Sequence, residues 1–263
     1  MNWATFAKYL IGRRSGIEEI ARCPAAVWLG LAFVLLAGVA RDYDGEDLVA
    51  RPYWLIVPFV ASSATSLLLY GLAVVVARPK PPLKRVSYSA ILSLYWLTAP
   101  MAWIYAIPVE RWLGAGAAMS ANLWLLKIVA TWRVVLMVRV ISVLFQVTHF
   151  FAAVVVLFFA DSVVVVVSHM TPMPIWDIMG GVRLTESEAV LQQSVCATRI
   201  FSVMGWPILL IALIVACVNR RNESARTVSS ASLMNDESTG GLEVSPSDTV
   251  PPLKWTSPRF AGA

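Results

Sequence analysis

Charged residues are scarce in this chain: only 14% of its 263 residues are Asp, Glu, Lys or Arg, and it has only two histidines. A soluble domain carries about 25% charged residues. The hydrophobic share is 58% and the mean hydropathy is +0.70. Several apolar runs are long enough to cross a bilayer. The composition therefore predicts an all-α, polytopic membrane protein.

The sequence also lacks the short motifs that mark most enzyme and cofactor sites. It contains no H-E-x-x-H pair, no G-x-S-x-G elbow, no phosphate-binding P-loop and no dinucleotide fingerprint. Its three cysteines have no metal-ligand spacing, and their odd number argues against a disulfide framework. The net charge of +5 comes without a nucleic-acid-binding signature. We expect no catalysis, no cofactor and no nucleic-acid partner.

A transmembrane domain over residues 23–218 is predicted to contain six spans. They are placed at 25–40, 53–77, 88–109, 123–145, 149–167 and 201–218. The fourth and fifth spans share one run from Leu123 to Val167, which would be about 68 Å long as a single helix. That length is roughly twice the hydrocarbon thickness. The run is therefore expected to turn near Gln146, Thr148 and His149, its polar positions.

Two polar segments flank this domain. Residues 1–22 carry an apolar stripe at helical spacing beside Lys8, Arg13 and Arg14, which is typical of an amphipathic helix in the membrane interface. Ser15 and Glu18 have the spacing of a capping box. Residues 219–263 are rich in Ser, Thr, Pro and Gly and predict a disordered cytoplasmic tail.

The distribution of basic residues predicts the orientation of the spans. With the N-terminus inside, the inner segments near the predicted spans hold eleven Lys and Arg residues and the outer loops hold five. This asymmetry satisfies the positive-inside rule. We expect a multi-pass protein of the bacterial inner (plasma) membrane, with both termini in the cytoplasm.

Three basic residues fall inside the apolar run. Lys127, Arg133 and Arg139 are six residues apart, so each is rotated by about 240° from the last, and they cannot form the continuous strip of a voltage sensor. Lys127 and Arg139 are expected either to snorkel towards the interfaces or to line a transport path. Arg133 and Asp161 are equally far from the predicted turn, which predicts an intramembrane ion pair with a structural or a transport role.

Acidic residues cluster in the first predicted outer loop. They are Asp42, Asp44, Glu46 and Asp47. Clustered carboxylates suit hard cations such as Ca²⁺, but the spacing departs from that of an EF-hand loop. We interpret the segment as a hydrated turn, with weak divalent-cation binding as the alternative.

The sequence favours a non-catalytic membrane protein that acts as an accessory, a scaffold or a trafficking or assembly component. A small ion or solute transporter, or a channel subunit, is the alternative. The expected partners are the lipid bilayer and, beyond it, other membrane proteins or further copies of the chain.

Reporter fusions can test the predicted orientation. Fusions after Gly45 and Gly181 should give an external signal, and fusions after Pro81 and Ser230 a cytoplasmic one, because basic clusters stay inside. The measurement is the paired activity of a reporter that works only outside and one that works only inside. A cytoplasmic signal at Gly181 would contradict the hairpin of the fourth and fifth spans.

Overall fold

The computed structural model describes residues 2–40, 56–77, 86–107, 109–170 and 185–239, and these residues are almost wholly helical. We number the α-helices of the described ranges α1 to α8. They are α1 (Trp3–Leu10), α2 (Arg14–Arg22), α3 (Ala25–Ala40), α4 (Ile56–Ala77), α5 (Tyr88–Trp96), α6 (Ala115–Phe145), α7 (His149–Met170) and α8 (Glu186–Thr239). Two 3₁₀ helices, Ala99–Ala106 and Val109–Arg111, lie between α5 and α6.

Four of these helices are long and apolar enough to cross a membrane. They are Ile56–Ala77, Ala115–Phe145, His149–Val167 and Glu188–Asn222. A fifth candidate is the pair formed by α2 and the first part of α3, Ala25–Ala37, which are bent by 102° at their junction. The chain is therefore an all-helical protein with four to five candidate membrane-spanning helices, which is compatible with an integral membrane protein.

The third predicted span is interrupted. Its α-helical part, α5, ends at Trp96, and Pro100 occupies the first turn of the following 3₁₀ helix. Proline has no N–H and its ring clashes with the preceding turn, so an α-helix cannot continue unchanged through it. The predicted boundary of 88–109 therefore covers two short helices of different type and no single long one.

Helices α6 and α7 meet at the turn that the sequence predicts, and their assignment as the fourth and fifth spans stays a prediction. Helix α6 ends at Phe145 and α7 begins at His149, with Gln146 in the left-handed conformation at φ 51°. The backbone N–H of Phe151 donates to the Thr148 hydroxyl, which caps the first turn of α7. Helix α6 begins at Ala115, eight residues before the predicted start at Leu123.

The N-terminal helices pack onto the helix bundle. Ile17 and Ile20 of α2 and Tyr9 of α1 are buried, and the Phe6 ring lies 5.8 Å from that of Phe33 in α3. The apolar stripe predicted to face lipid is thus partly covered by protein, while Trp3 remains exposed. The interfacial position of this segment stays a prediction.

Glu18 has a different role from the one its spacing predicts. Helix α2 begins at Arg14 and has no side-chain cap. Instead, Glu18 forms ion pairs with Arg14 and Arg22, at 2.6 and 3.7 Å. The capping box with Ser15 was therefore wrong, because the helix starts two residues too early for Ser15 to be its N-cap. The equivalent box of Thr185 and Glu188 forms at the start of α8, with reciprocal hydrogen bonds of 2.8 and 3.3 Å.

Tyr9 anchors α1 at the point where α5 ends. At this end of α5, the N–H of Thr98 donates to the Tyr95 carbonyl. The Leu94 carbonyl accepts a hydrogen bond from the Tyr9 hydroxyl group. Burial raises the pKa of Tyr9 far above its ordinary value, and the positive charge of Arg133 offsets only part of that rise. The phenol therefore remains a neutral donor to a buried carbonyl.

Helices α3 and α5 cross closely in the centre of the N-terminal half. A Cβ atom added at Gly30 would lie 2.8 Å from the Cβ of Trp96, so a larger residue would force the helices apart. Trp96 is buried and donates from Nε1 to the Ser62 hydroxyl of α4 at 3.1 Å. One glycine thus allows three helices to share a core.

The chain divides into two units, Met1–Val218 and Asn219–Ala263. The first contains the bundle. In the second, helix continues to Thr239, inside the segment predicted to be disordered, and residues 240–263 lie outside the described ranges.

Replacing Tyr9 with phenylalanine should lower the free energy of unfolding by about 1–3 kcal/mol, because a buried carbonyl loses its donor. The measurement is thermal or denaturant unfolding in detergent. Tyr70→Phe is the matched control. Tyr70 donates to the Val86 carbonyl at 3.0 Å from a half-buried position, so its replacement should lower the free energy of unfolding by less. Equal losses in the two variants would contradict an anchoring role for Tyr9.

Candidate functional site

The carboxyl group of Asp161 lies inside a candidate span. It is twelve residues after the first residue of α7 and six before Val167, where the apolar part of α7 ends. Its Oδ2 atom is buried and makes no hydrogen bond within the described structure. Gly205 of α8 faces this atom, since a Cβ built there would lie 3.8 Å from it. Asp161 as a whole is half-buried, so one oxygen of its carboxyl group is shielded from solvent without a donor.

The hydroxyl group of Ser162, the residue next to Asp161, both accepts and donates a hydrogen bond. The indole Nε1 of Trp206 donates to the Ser162 hydroxyl at 3.0 Å, and that hydroxyl donates to the Phe158 carbonyl at 2.7 Å. The rings of Phe158 and Trp206 pack with centroids 5.8 Å apart. These contacts hold α8 against α7 at the level of Asp161 without satisfying its carboxylate.

The backbone hydrogen bonds of α8 are interrupted beside this contact. Pro207 lies within the helix and has no N–H, so the Val203 carbonyl lacks its usual donor four residues on. Intramembrane prolines are tolerated where other groups can satisfy the freed backbone. The Val203 carbonyl lies two residues before Gly205, the residue of α8 that faces Asp161.

Small and polar residues lead from one end of the bundle to Asp161. Ser194, Thr198, Ser202 and Gly205 follow the i, i+4, i+8, i+11 spacing of one helix face. Ser194 and Thr198 line a cavity of about 430 Å³ between α8 and α6, and Ser202 is buried. This face thus connects a polar cavity with the buried carboxyl group.

Lys127 lies at the other side of that cavity. Its ammonium group is 5.1 Å from the centroid of the Trp124 ring, within the range of a cation–π contact. The side chain is exposed on the surface of the chain. Lys127 therefore contributes a positive charge to the cavity lining.

Arg133 does not pair with Asp161. Its guanidinium carbon lies 5.2 Å from the centroid of the Tyr95 ring, on the side of α6 that faces α5. Between residues of the described ranges, the ion pairs are those of Glu18 with Arg14 and Arg22. The predicted pair was wrong because equal depth does not give equal direction: Arg133 faces α5 while Asp161 faces α8.

Arg139 holds the turn between α1 and α2. Its Nε donates to the Gly12 carbonyl at 3.2 Å, and its Nη1 lies 2.6 Å from Nε2 of His149. Gly12 has φ +73°, and a Cβ there would lie 3.3 Å from Cγ of Arg139. Only glycine takes up this backbone conformation readily. The structure therefore gives Arg139 a structural contact at this turn, and its snorkelling towards the interface stays a prediction.

The acidic cluster of Asp42, Asp44, Glu46 and Asp47 lies outside the described residues. Within the ranges that are described, no three His, Cys, Asp or Glu residues come close enough together to hold a metal ion. Weak divalent-cation binding at the acidic cluster stays a prediction.

Comparison of the chain with protein-family models, curated proteins and solved structures gives no match.

Sequence reasoning identified Asp161 but missed its surroundings. The available signal was the spacing of Ser194, Thr198 and Ser202, which places hydroxyl groups on one face of a largely apolar helix. That signal does not say which helix the face meets, and only the tertiary structure brings it to Asp161.

The effects of Arg133→Ala and Asp161→Ala on stability should add. The two side chains share no contact, and non-interacting sites are additive to within about 0.5 kcal/mol. The measurement is a double-mutant cycle by unfolding in detergent. A coupling energy well above about 0.5 kcal/mol would indicate that the two side chains do form an ion pair.

Proposed function

We propose that the chain is a multi-pass integral membrane protein that conducts or transports protons, with the carboxyl group of Asp161 as the site that takes up and releases them. One observation carries this proposal: Oδ2 of Asp161 is buried inside a candidate span without a hydrogen-bond donor. Ionisable residues inside spans mark ion pathways by default.

A proton fits this site better than a metal ion. Hard cations such as Ca²⁺ need six to eight oxygen ligands, typically with several carboxylates. Among the described residues, no second acidic side chain joins Asp161 in a metal-binding group. Protonation neutralises the carboxyl group without any further ligand.

The hydroxyl-lined face of α8 gives this site a route to one membrane surface. Ser194 and Thr198 line the open cavity, and Ser202 lies between that cavity and Gly205 beside Asp161. Hydroxyl groups donate and accept hydrogen bonds, so they can pass a proton along a file that includes water. The freed carbonyl of Val203 supplies a further acceptor on this helix.

The proposal includes the finer topology expected from the sequence. We propose six crossings with both termini in the cytoplasm of a bacterial inner membrane. Helix α3 and the interrupted segment of α5 with its 3₁₀ helix supply the two crossings beyond the four long helices. The asymmetric distribution of Lys and Arg supports this orientation.

An accessory or scaffold role is the second candidate. The observation that favours it is the broad apolar face of α8, where Phe201, Met204, Ile208 and Ile211 are all more than half exposed. Such a face can pack against lipid or against another membrane protein. This role requires neither a free carboxyl group nor proton movement.

Proton flux through the purified protein in liposomes tests the proposal. The full chain is reconstituted with a pH-sensitive dye inside the vesicles, and a potassium potential is imposed with valinomycin. Wild-type vesicles should acidify faster than empty ones, and Asp161→Asn should remove at least about nine-tenths of that excess rate. General acid–base groups typically contribute rate factors of about 10²–10⁴, so the loss should be large.

Ser162→Ala is the matched control. It removes the hydrogen bond to Trp206 in the same helical turn but keeps the carboxyl group, so it should retain most of the flux. Equal loss in both variants would indicate that α7–α8 packing, rather than the carboxyl group, is required. Wild-type flux no greater than that of empty vesicles would reject transport and leave the scaffold role.

A further inference from the structure

Two cavities meet at Trp124 and Lys127. The first is the polar cavity between α6 and α8 described above, of about 430 Å³. The second is a groove of about 560 Å³ along another side of α6. Both are lined by the Trp124 indole and the Lys127 side chain. A single cation therefore lies at the border of a polar cavity and the second groove.

The second groove is almost wholly apolar. Its lining follows α6 from Trp124 to Leu136, a length of about 18 Å at 1.5 Å per residue. Ile128, Trp132 and Val135 supply most of the α6 side, and Leu10 and Ile11 of the N-terminal helices close the far end. The groove has the length and chemistry to hold a hydrocarbon chain.

Lys127 lies at the level where the apolar part of the hairpin ends. It is nineteen residues before Gln146, and Val167, the last residue of the apolar part of α7, is nineteen residues after Thr148. Both are about 28 Å from the turn, close to the thickness of a hydrocarbon core. Trp124, one turn further out, is of the residue type that favours the membrane interface. The cation is therefore at the depth of lipid headgroups.

The charge of Lys127 is not neutralised by an acidic side chain within the described residues, whose ion pairs are those of Glu18. Its ammonium group rests on the Trp124 ring alone among the contacts described for it. The polar cavity adds neutral hydrogen-bonding groups: Ser120, Gln193, Ser194 and Thr198. These groups suit a polar headgroup, and the unpaired cation selects a negative one.

We propose that these two cavities form one binding site for an anionic phospholipid of the surrounding membrane. The phosphate lies against Lys127, the remainder of the headgroup occupies the polar cavity, and one acyl chain lies in the apolar groove towards Ile11. The division into a polar and an apolar part with a cation between them matches an amphiphile and not a protein segment. The site does not include Asp161, but its polar cavity also lies at the entrance of the hydroxyl-lined route proposed to lead to that residue.

Native mass spectrometry of the full chain in detergent tests this site. Phosphatidylglycerol and phosphatidylcholine with identical acyl chains are added in turn, and the retained lipid is measured. One phosphatidylglycerol per chain should be retained in preference to phosphatidylcholine. Lys127→Gln should weaken that retention about fivefold, the size expected for one lysine near an anionic lipid surface. Excess inorganic phosphate should not displace the lipid, because the groove holds its acyl chain.

Two further variants make the test specific. Arg199→Gln removes the same charge from α8 at a position outside both cavity linings and should leave retention unchanged. Thr131→Trp fills the groove from an exposed position, keeps Lys127, and should also weaken retention. Equal retention of the two lipids, unchanged retention in Lys127→Gln, or displacement by phosphate alone would each overturn the proposal. Since none of these readouts measures flux, they are separable from a failure of proton transport.

Discussion

The tight turn between α6 and α7 determines the depth of every polar group in the C-terminal half of the bundle. Gln146 adopts the left-handed conformation, which costs an L-residue about 1–2 kcal/mol. The hydrogen bond from Val147 N–H to the Ser142 carbonyl and the cap supplied by Thr148 offset that cost. Because the turn fixes the register of two antiparallel helices, it also fixes how far Lys127 and Asp161 lie from the end of the hairpin.

In the N-terminal half, the packing of the helices depends on hydrogen bonds to backbone groups that turns and helix ends leave free. The turn between α1 and α2 and the break after α5 both release backbone groups from regular helix bonding. Such groups are costly at membrane depth unless protein groups satisfy them. Tyr9 donates to Leu94, and Arg139 donates to Gly12. The first two helices are thus a structural part of the bundle, and they also close one end of the apolar groove.

The two proposals use different faces of neighbouring helices. Proton binding depends on the contact of α7 with α8, where Gly205 and Trp206 meet Asp161 and Ser162. Lipid binding depends on the surface of α6 around Lys127 and on its cavity with the start of α8. The hydroxyl groups of Ser194 and Thr198 are common to both, so a bound headgroup would lie at the entrance of the route to Asp161.

Sequence alone determined the helical class and the turn near Gln146. Each of these depends on local chemistry or on the length of an apolar run, which the order of residues specifies directly. The tertiary structure decided which way the polar side chains face, sending Arg133 to Tyr95 and Asp161 to α8, and it docked α1 and α2 on the bundle. Helices that are apolar on all sides have no hydrophobic stripe to define their rotation. For that reason the position of a residue along its helix could be predicted from the sequence, whereas the direction in which its side chain points depended on packing.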